Sequence, residues 1–390
     1  MNHKWPLMLN NVEKVDLDEV ILHLNRPDPK LTHGPMVEKF ENEWNKWLNT
    51  KFSIMVNSGA SANDISMLIL KEKYGRCEII VPPLTWVSDI ASIIHAGHTP
   101  VFVDISLKNL ALNAALLEKV ITKKTKAIFL THVLGLNGIS GELLNFAKNF
   151  EIDLIEDVCE SHGATYNDKK VGTYGLMSNF SFYYAHHMTT IEGGMISTNS
   201  EEIYQYARMM RSHGLVRESK SDSIRKKYIS KYPDLNPEFI FAYAAHNMRP
   251  TEINGLLGSS QLKRLDKNII ARTKNFIDYI KYIDNEKFFS DFETKGSSSY
   301  AIPIIMKNKN LKLRDKIELE LSKNGIEYRR GLSGGGNQMR QPYLADIINK
   351  VNFDEFPIIE HIHTFSWYIG NYPNLEEGKI NELCELLNKI

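Results

Sequence analysis

The stretch N-F-S-F-Y-Y-A-H-H-M-T-T-I-E-G-G-M-I-S-T, Asn179 to Thr198, decides how the rest of this chain is read. Phe180 to Tyr184 is aromatic and reads as the end of a buried strand. Met195 to Thr198 is apolar again, after Glu192 and the turn-forming pair Gly193 and Gly194. Between them stand His186 and His187. Two imidazoles are thus placed where a strand gives way to a turn, which by residue type alone is either a pair of core histidines or a proton-handling site.

Working outward, 390 residues with 43% hydrophobic content can bury a large core, and the length predicts two or three domains. Lys+Arg 47 against Asp+Glu 47 leaves no net charge, so no electrostatic reason arises to expect nucleic acid or an anionic membrane as partner. The three cysteines, Cys77, Cys159 and Cys384, are far apart, which excludes a disulfide framework and a four-cysteine metal site; no metal is expected. Met1 to Val12 has no apolar signal core, and no apolar run reaches the roughly 20 residues of a membrane span. The chain reads as cytoplasmic.

In chain order, residues 1–35 form a polar, Pro-interrupted arm with one amphipathic run, Val15 to Leu24. Met36 to Leu48 places Val37, Phe40, Trp44 and Trp47 on one helical face, a core stripe. The apolar strand Phe52 to Val56 runs into the small-residue turn Asn57 to Asn63 and a helical pattern from Ile65 to Leu70. A strand that delivers such a turn onto a helix N-terminus offers free N–H groups to an anion, although Ser, Gly and Ala also make ordinary caps. Strand-like runs at Glu78–Val81, Val101–Asp104, Ala127–His132 and Asp153–Asp157 alternate with helical segments, the pattern of a mostly parallel sheet covered on both faces. Asp157 closes the last of these, at the edge where ligands of such sheets bind. The charged insertion Glu218 to Lys231 reads as a surface loop. A long helical pattern begins near Leu256 and runs through Ile283. The remainder, with strands at Tyr300–Met306 and Glu327–Arg330 and helices at Leu311–Asn324 and Glu376–Ile390, reads as a smaller α+β domain. Between its elements the basic, Gly-rich segment 329–342 reads by default as a flexible loop.

The central stretch resembles the DegT-type (DegT/DnrJ/StrS) sugar aminotransferases, fold-type I enzymes that depend on pyridoxal phosphate (PLP). In that family a Ser-Phe pair leads to a Schiff-base lysine and then to Glu-Gly-Gly, with the lysine five residues after the Ser and six before the Glu. Counted from Ser181 and from Glu192, both positions are His186, so the lysine is missing. A cofactor here is then held by noncovalent contacts alone, and the resemblance points to the His-bearing subgroup that uses pyridoxamine phosphate (PMP) for sugar 3-dehydration.

The resemblance implies an α/β fold of the aspartate aminotransferase type, with an N-terminal arm (1–35), a large cofactor domain (36–255), and a linking helix with a small α+β domain (256–390). It assigns the phosphate loop to Ser58, Gly59 and Ala60, ring stacking to Trp86, and the pyridine nitrogen to Asp157. Glu160 stands where aminotransferases carry Gln, and Ser181 and Asn247 also contact cofactor, Asn247 from the neighbouring subunit, which implies a homodimer with its active site at the interface. Arg249, Arg329 and Asn337 are the implied substrate contacts, with Gly370-Asn371 a second such element. The catalytic base is His186, and His187 either orients it or packs. The implied partners are a nucleotide-diphosphate sugar, GDP-linked favoured, and L-glutamate as amino donor. The implied reaction is the removal of the C3 hydroxyl of a 4-keto-6-deoxyhexose in deoxysugar biosynthesis. A PLP-dependent nucleotide-sugar aminotransferase and a catalytically inert regulator of the same fold are the other readings carried forward.

Overall fold

The computed structural model describes residues 3–348 and 351–390. Its centre is built from the short apolar runs of the first half. These are β1 (Phe52–Val56), β2 (Glu78–Val81), β3 (Thr99–Phe102), β4 (Thr125–Thr131) and β5 (Asp153–Asp157), then, after a small hairpin of β6 (Thr165–Tyr166) and β7 (Lys169–Lys170), β8 (Met177–Ser181) and β9 (Gly194–Thr198). They form one seven-stranded sheet in the order β1-β9-β8-β5-β4-β2-β3, parallel throughout except that β9 runs against both of its neighbours. β8 and β9 are buried along their whole length, which is why both read as unbroken apolar or small-residue runs rather than as alternating ones.

Helices cover both faces. On one lies α2 (Pro35–Leu48), where Phe40 and Trp44 pack edge-to-face against Phe180 and Phe182, while α1 (Lys14–Leu24) lies further out, Asp16 held by Gln261 and Arg264 of the long helix 252–282. On the other, α3 (Gly59–Tyr74) and α4 (Val87–His95) bury Ile65, Ile69, Ile90 and Ile93. α5 (Gly141–Asn149) adds Leu143 and Phe146 to the first face, and α6 (Glu201–Arg211) adds Ile203 and Met210 to the second. A buried ion pair, Arg211 to Glu41 at 2.8 Å, fastens α6 to α2, and the same carboxylate accepts the Met55 N–H of β1.

The insertion expected as a loop is α7 (Asp222–Lys231), with Ser221 accepting the Ile224 N–H as its cap and no residue buried. Its local capping signal outweighs the absence of an apolar face. α8 (Glu252–Tyr282) starts earlier than its periodicity suggested because Thr251 and Asn254 form a capping box. It serves two cores, with Leu265 in that of the large sheet and Phe276 and Tyr279 in the next. That second core surrounds the antiparallel sheet β10 (Ala301–Ile305), β11 (Tyr328–Arg330) and β12 (Ser366–Gly370), in the order β10-β12-β11. α9 (Leu311–Lys323), α10 (Pro357–Phe365) and α11 (Lys379–Asn388) pack around it. The pair α10 and β12 went unread in the sequence, since Pro357 and the short runs beside it carry no clear period. The Gly-rich segment is not a featureless loop: it winds through tight turns at Ser333–Gly335 and Gln338–Arg340, with Gly331 and Gly334 to Gly336 all at positive φ.

Candidate active site

The parallel strands β2, β4, β5 and β8 deliver their carboxyl ends to one edge of the large sheet, where a cavity of about 390 Å³ opens against the small sheet. That volume lies in the range that holds a small organic ligand. Its walls include Ser58, Trp86, Asp157, Ser181 and His186 from the strand ends, and Arg329 from the small sheet.

The phosphate-loop candidates come together through close backbone approach. Ser58 caps α3, its hydroxyl accepting the Ser61 N–H at 3.0 Å. A Cβ at Gly59 would stand 2.6 Å from that of Ser181, and one at Gly194 would stand 2.3 Å from the Ser58 carbonyl oxygen. The end of β8, the start of β9 and the first turn of α3 are therefore pressed together in a way only glycine allows. Among the described residues the Gly59 and Ala60 N–H groups donate to nothing in the chain, and they face the cavity at a helix N-terminus, the physical recipe for a phosphate. Trp86, 54% exposed at the start of α4, offers the cavity a flat ring that the chain itself leaves uncovered.

Asp157 ends β5 almost fully buried, one carboxylate oxygen accepting the Cys159 N–H at 2.8 Å. Behind it lies a second carboxyl, Asp89 of α4, which accepts from Thr85, from Thr131 at 2.9 Å and from Asn63 at 2.7 Å. Burial and the neighbouring Asp157 push Asp89 well above the usual carboxylate range. Glu160 bridges the cavity's two sides, one oxygen accepting the Leu134 N–H at 3.0 Å and the other the Ser333 hydroxyl at 2.9 Å. Burial raises it to about 7.

The turn that carries the histidines is closed by the Phe182 N–H donating to Gly193 and the Thr190 N–H donating to Phe182. Inside it the His186 ring stacks on Tyr300, with centroids 5.4 Å apart at 24°, and meets Tyr183 edge-on at 5.9 Å. Burial pushes His186 down to about 4, although the Asp157 charge pulls the other way. At neutral pH the imidazole is therefore uncharged, with a lone pair free to accept a proton, although it is a weaker base than an unburied histidine. His187 points away from the cavity: it is buried against His162 and Tyr300, with Nε2 at 3.1 Å from the Ser298 carbonyl, so it packs. Among the described residues no lysine lines the cavity.

Asn337 is a correction. It is fully buried outside the cavity, its amide nitrogen donating to Glu360 at 2.7 Å and its oxygen accepting the Met339 N–H at 3.0 Å, because the glycine turns fold it under the loop. Ser333 and Arg329 of the same loop do reach the cavity. Asn247 and Arg249 do not line it; Asn247 is exposed, and its side chain accepts the Arg249 N–H at 3.2 Å. Asn371 lines the cavity but spends its amide on the Ser299 and Arg272 carbonyls. Sequence reasoning missed Arg272, Tyr300 and Tyr368, which come from separate elements. A signal existed only for Arg272, a charge placed in phase with Leu265, Phe276 and Tyr279 on the buried stripe of α8.

These donors fit a pyridoxal-type cofactor: unpaired helix N-terminal N–H groups for a phosphate, an open aromatic face for a ring and a buried carboxylate at the sheet edge for a ring nitrogen. A model of the DegT/DnrJ/EryC1/StrS aminotransferase family matches residues 17–388. The GDP-4-keto-6-deoxy-D-mannose 3-dehydratase of Yersinia pseudotuberculosis is 30% identical over 92% of this chain and 92% of its own. A GDP-perosamine synthase of Escherichia coli O157:H7 is 26% identical over 92% and 90%. Among solved structures, the Escherichia coli GDP-4-keto-6-deoxy-D-mannose-3-dehydratase with bound hydrated PLP superposes with a TM-score of 0.89 at 28% identity, over 99% of this chain and 100% of that one.

Proposed function

The chain belongs to the DegT/DnrJ/EryC1/StrS aminotransferase family, is an enzyme and uses PLP and PMP; within that family we propose that it is a PMP-dependent 3-dehydratase of a nucleotide-linked 4-keto-6-deoxyhexose. The substrate is GDP-linked, the product is a 3-deoxy-4-keto sugar, and L-glutamate restores PMP. The observation that carries this reading is the pairing of a neutral imidazole, His186, at the catalytic position with the absence of any lysine from the described cavity wall.

The chemistry supplied by bound PMP is an amine that joins the sugar's 4-keto carbon and a ring that takes up electrons. Gly59 and Ala60 hold the phosphate by backbone N–H groups, and Trp86 covers one ring face. Asp157 holds a proton on the ring nitrogen, which keeps the ring electron-poor. His186 removes the proton from C4′ of the cofactor, being uncharged at working pH and held in place by Tyr300 and Tyr183. A lysine would return that proton to C4 of the sugar and yield an amino sugar. With an imidazole in its place, loss of the C3 hydroxyl is the exit. Arg329 and Ser333 face the sugar-nucleotide side.

Asn247, exposed, and Arg249, half-buried, both outside this chain's own cavity, fit the reading in which a second copy brings them to the partner's site, and the exposed apolar side chains of α1, Leu17, Ile21 and Leu22, fit the same homodimer. A place in the making of lipopolysaccharide deoxysugars is part of the proposal, favoured by a Salmonella typhimurium relative, 28% identical over 89% of this chain, that is named a lipopolysaccharide biosynthesis protein.

The test is mass spectrometry of the protein incubated with PMP, L-glutamate and GDP-4-keto-6-deoxymannose. Loss of water from the sugar with release of ammonia is expected, diminished in His186→Lys. A 4-amino sugar made by the wild-type protein would replace this reading with that of an aminotransferase, the activity named for the perosamine synthase.

A further inference from the structure

One side chain in the cavity wall is not used by the reading above. Arg272, in the middle of α8, is 5% exposed and lines the cavity. Nη1 donates to the backbone carbonyls of Tyr300, at 3.0 Å, and Asn371. Nε is sealed from solvent with no partner, and Nη2 donates to no described residue. Among the described residues no carboxylate lies within 4 Å of it. Burial pushes the guanidinium down to about 10, which still leaves it charged at neutral pH.

A buried cation without an anion is costly, and removing the partner of such a charge typically destabilises a protein by several kcal/mol. Arg211, the other fully buried arginine, has Glu41 as its counter-ion. Arg272 has only carbonyl dipoles. The side chain lines a cavity where an anion would complete it through Nη2, the one nitrogen neither sealed nor spent, and a charge-assisted hydrogen bond from a guanidinium suits a carboxylate.

We propose that Arg272 binds the α-carboxylate of the amino-acid donor that recharges the site. This rests on the reading of the cavity as one that accepts an amino group. The position chooses the ligand. Arg272 holds the Tyr300 carbonyl, and the Tyr300 ring stacks on His186. A donor must present its amine beside His186, and the carboxylate one carbon away from that amine is then the group close enough to meet Arg272. A distal carboxylate is set apart from the reacting carbon by the donor's own chain, and the pyrophosphate of a sugar nucleotide by the width of its hexose. In the half-reaction L-glutamate gives its amino group to PLP and leaves as 2-oxoglutarate, and PMP is formed. Arg272 takes no part in bond making; it fixes which carbon faces the imidazole.

The test is equilibrium binding to the PLP-loaded protein by titration calorimetry. The probes are 2-oxoglutarate and 4-oxopentanoate, which keeps the ketone and the distal carboxylate but has a methyl group in place of the carboxylate beside the ketone. Neither reacts with PLP, so turnover is not needed. The wild-type protein is expected to prefer 2-oxoglutarate by about 10- to 100-fold, the worth of hydrogen bonds to a charged group. Arg272→Met is expected to erase that preference, Arg272→Lys to keep part of it, and both to bind GDP as the wild type does. Equal binding of the two probes by the wild type would overturn the proposal even if the methionine variant failed to fold. So would loss of GDP affinity with the preference intact, which would make Arg272 a phosphate ligand. A protein that discriminates the probes but dehydrates no sugar would keep this inference and discard the function proposed above.

Discussion

The cavity has two walls of different origin. One is the carboxyl edge of the large sheet, where Ser58, Trp86, Asp157, Ser181 and His186 each stand at or just beyond the end of a strand. The other is assembled around the small sheet from Arg272 of α8, Tyr300 just before β10, Arg329 of β11, Ser333 of the glycine turns and Tyr368 of β12. On the first wall the strands run in one direction within a single sheet, so each strand end is a position in a fixed row and the residue type there points to its task. On the second wall residues nearly 100 positions apart meet only because two cores pack together. On the function proposed above, the first wall would serve the cofactor and the second whatever the cofactor reacts with. Glu160 joins them, anchored in the first and hydrogen bonded to Ser333 of the second.

That division can be broken by experiment. The largest effect belongs to the first wall: His186→Asn should lower dehydration by roughly 10²- to 10⁴-fold, the usual share of a general base, while PLP still binds and shows its absorbance. Cofactor binding that failed with turnover would show His186 to be a wall residue rather than a base. Gly59→Val should weaken PLP binding by about 10- to 100-fold, since a side chain there drives into Ser181, whereas GDP binding measured by fluorescence should be unaffected.

The pH dependence sharpens the comparison where the walls join. Glu160, raised by burial to about 7, should contribute a limb near pH 7 to the pH profile of kcat, and Glu160→Gln should remove it. His186 bears on stability rather than on that limb. Its folded value of about 4 lies below the unfolded 6.5, so between these two pH values the unfolded chain takes up a proton that the folded chain refuses. The share of stability owed to His186 should therefore fall as pH drops from 6.5 toward 4, with the buried His162 and His187, both pushed down by burial, adding in the same direction. Glu160 and Asp89, both raised, pull the other way in this window, so the measurement compares melting temperature against pH for the wild type and His186→Asn; two curves that run parallel across the window would mean His186 is not neutral inside the fold.

The smallest effect belongs to Asn337, behind the second wall. Asn337→Ala should lower stability by about 1–3 kcal/mol, measured by urea unfolding, through the hydrogen bonds lost to Glu360 and Met339, with no change in KM for the nucleotide sugar. A raised KM at unchanged stability would return Asn337 to the substrate side.

The sequence by itself determined the large sheet and the wall it carries. Continuous apolar runs require a sheet buried on both faces, small residues after a strand require a tight turn onto a helix, and an acid or an imidazole at such an end has few other reasons to be there. It also showed that no lysine stands near the turn at His186 along the chain, none lying between Lys170 and Lys220. Only the tertiary structure decided the rest. It set His186 half-buried between Tyr183 and Tyr300 and so lowered its basicity, folded Asn337 under a glycine turn and out of reach, and left Arg272 facing a cavity without a counter-ion. Each of these depends on which atoms surround a group. Local pattern records the phase of a residue on its own helix or strand, but not what the facing element places against it.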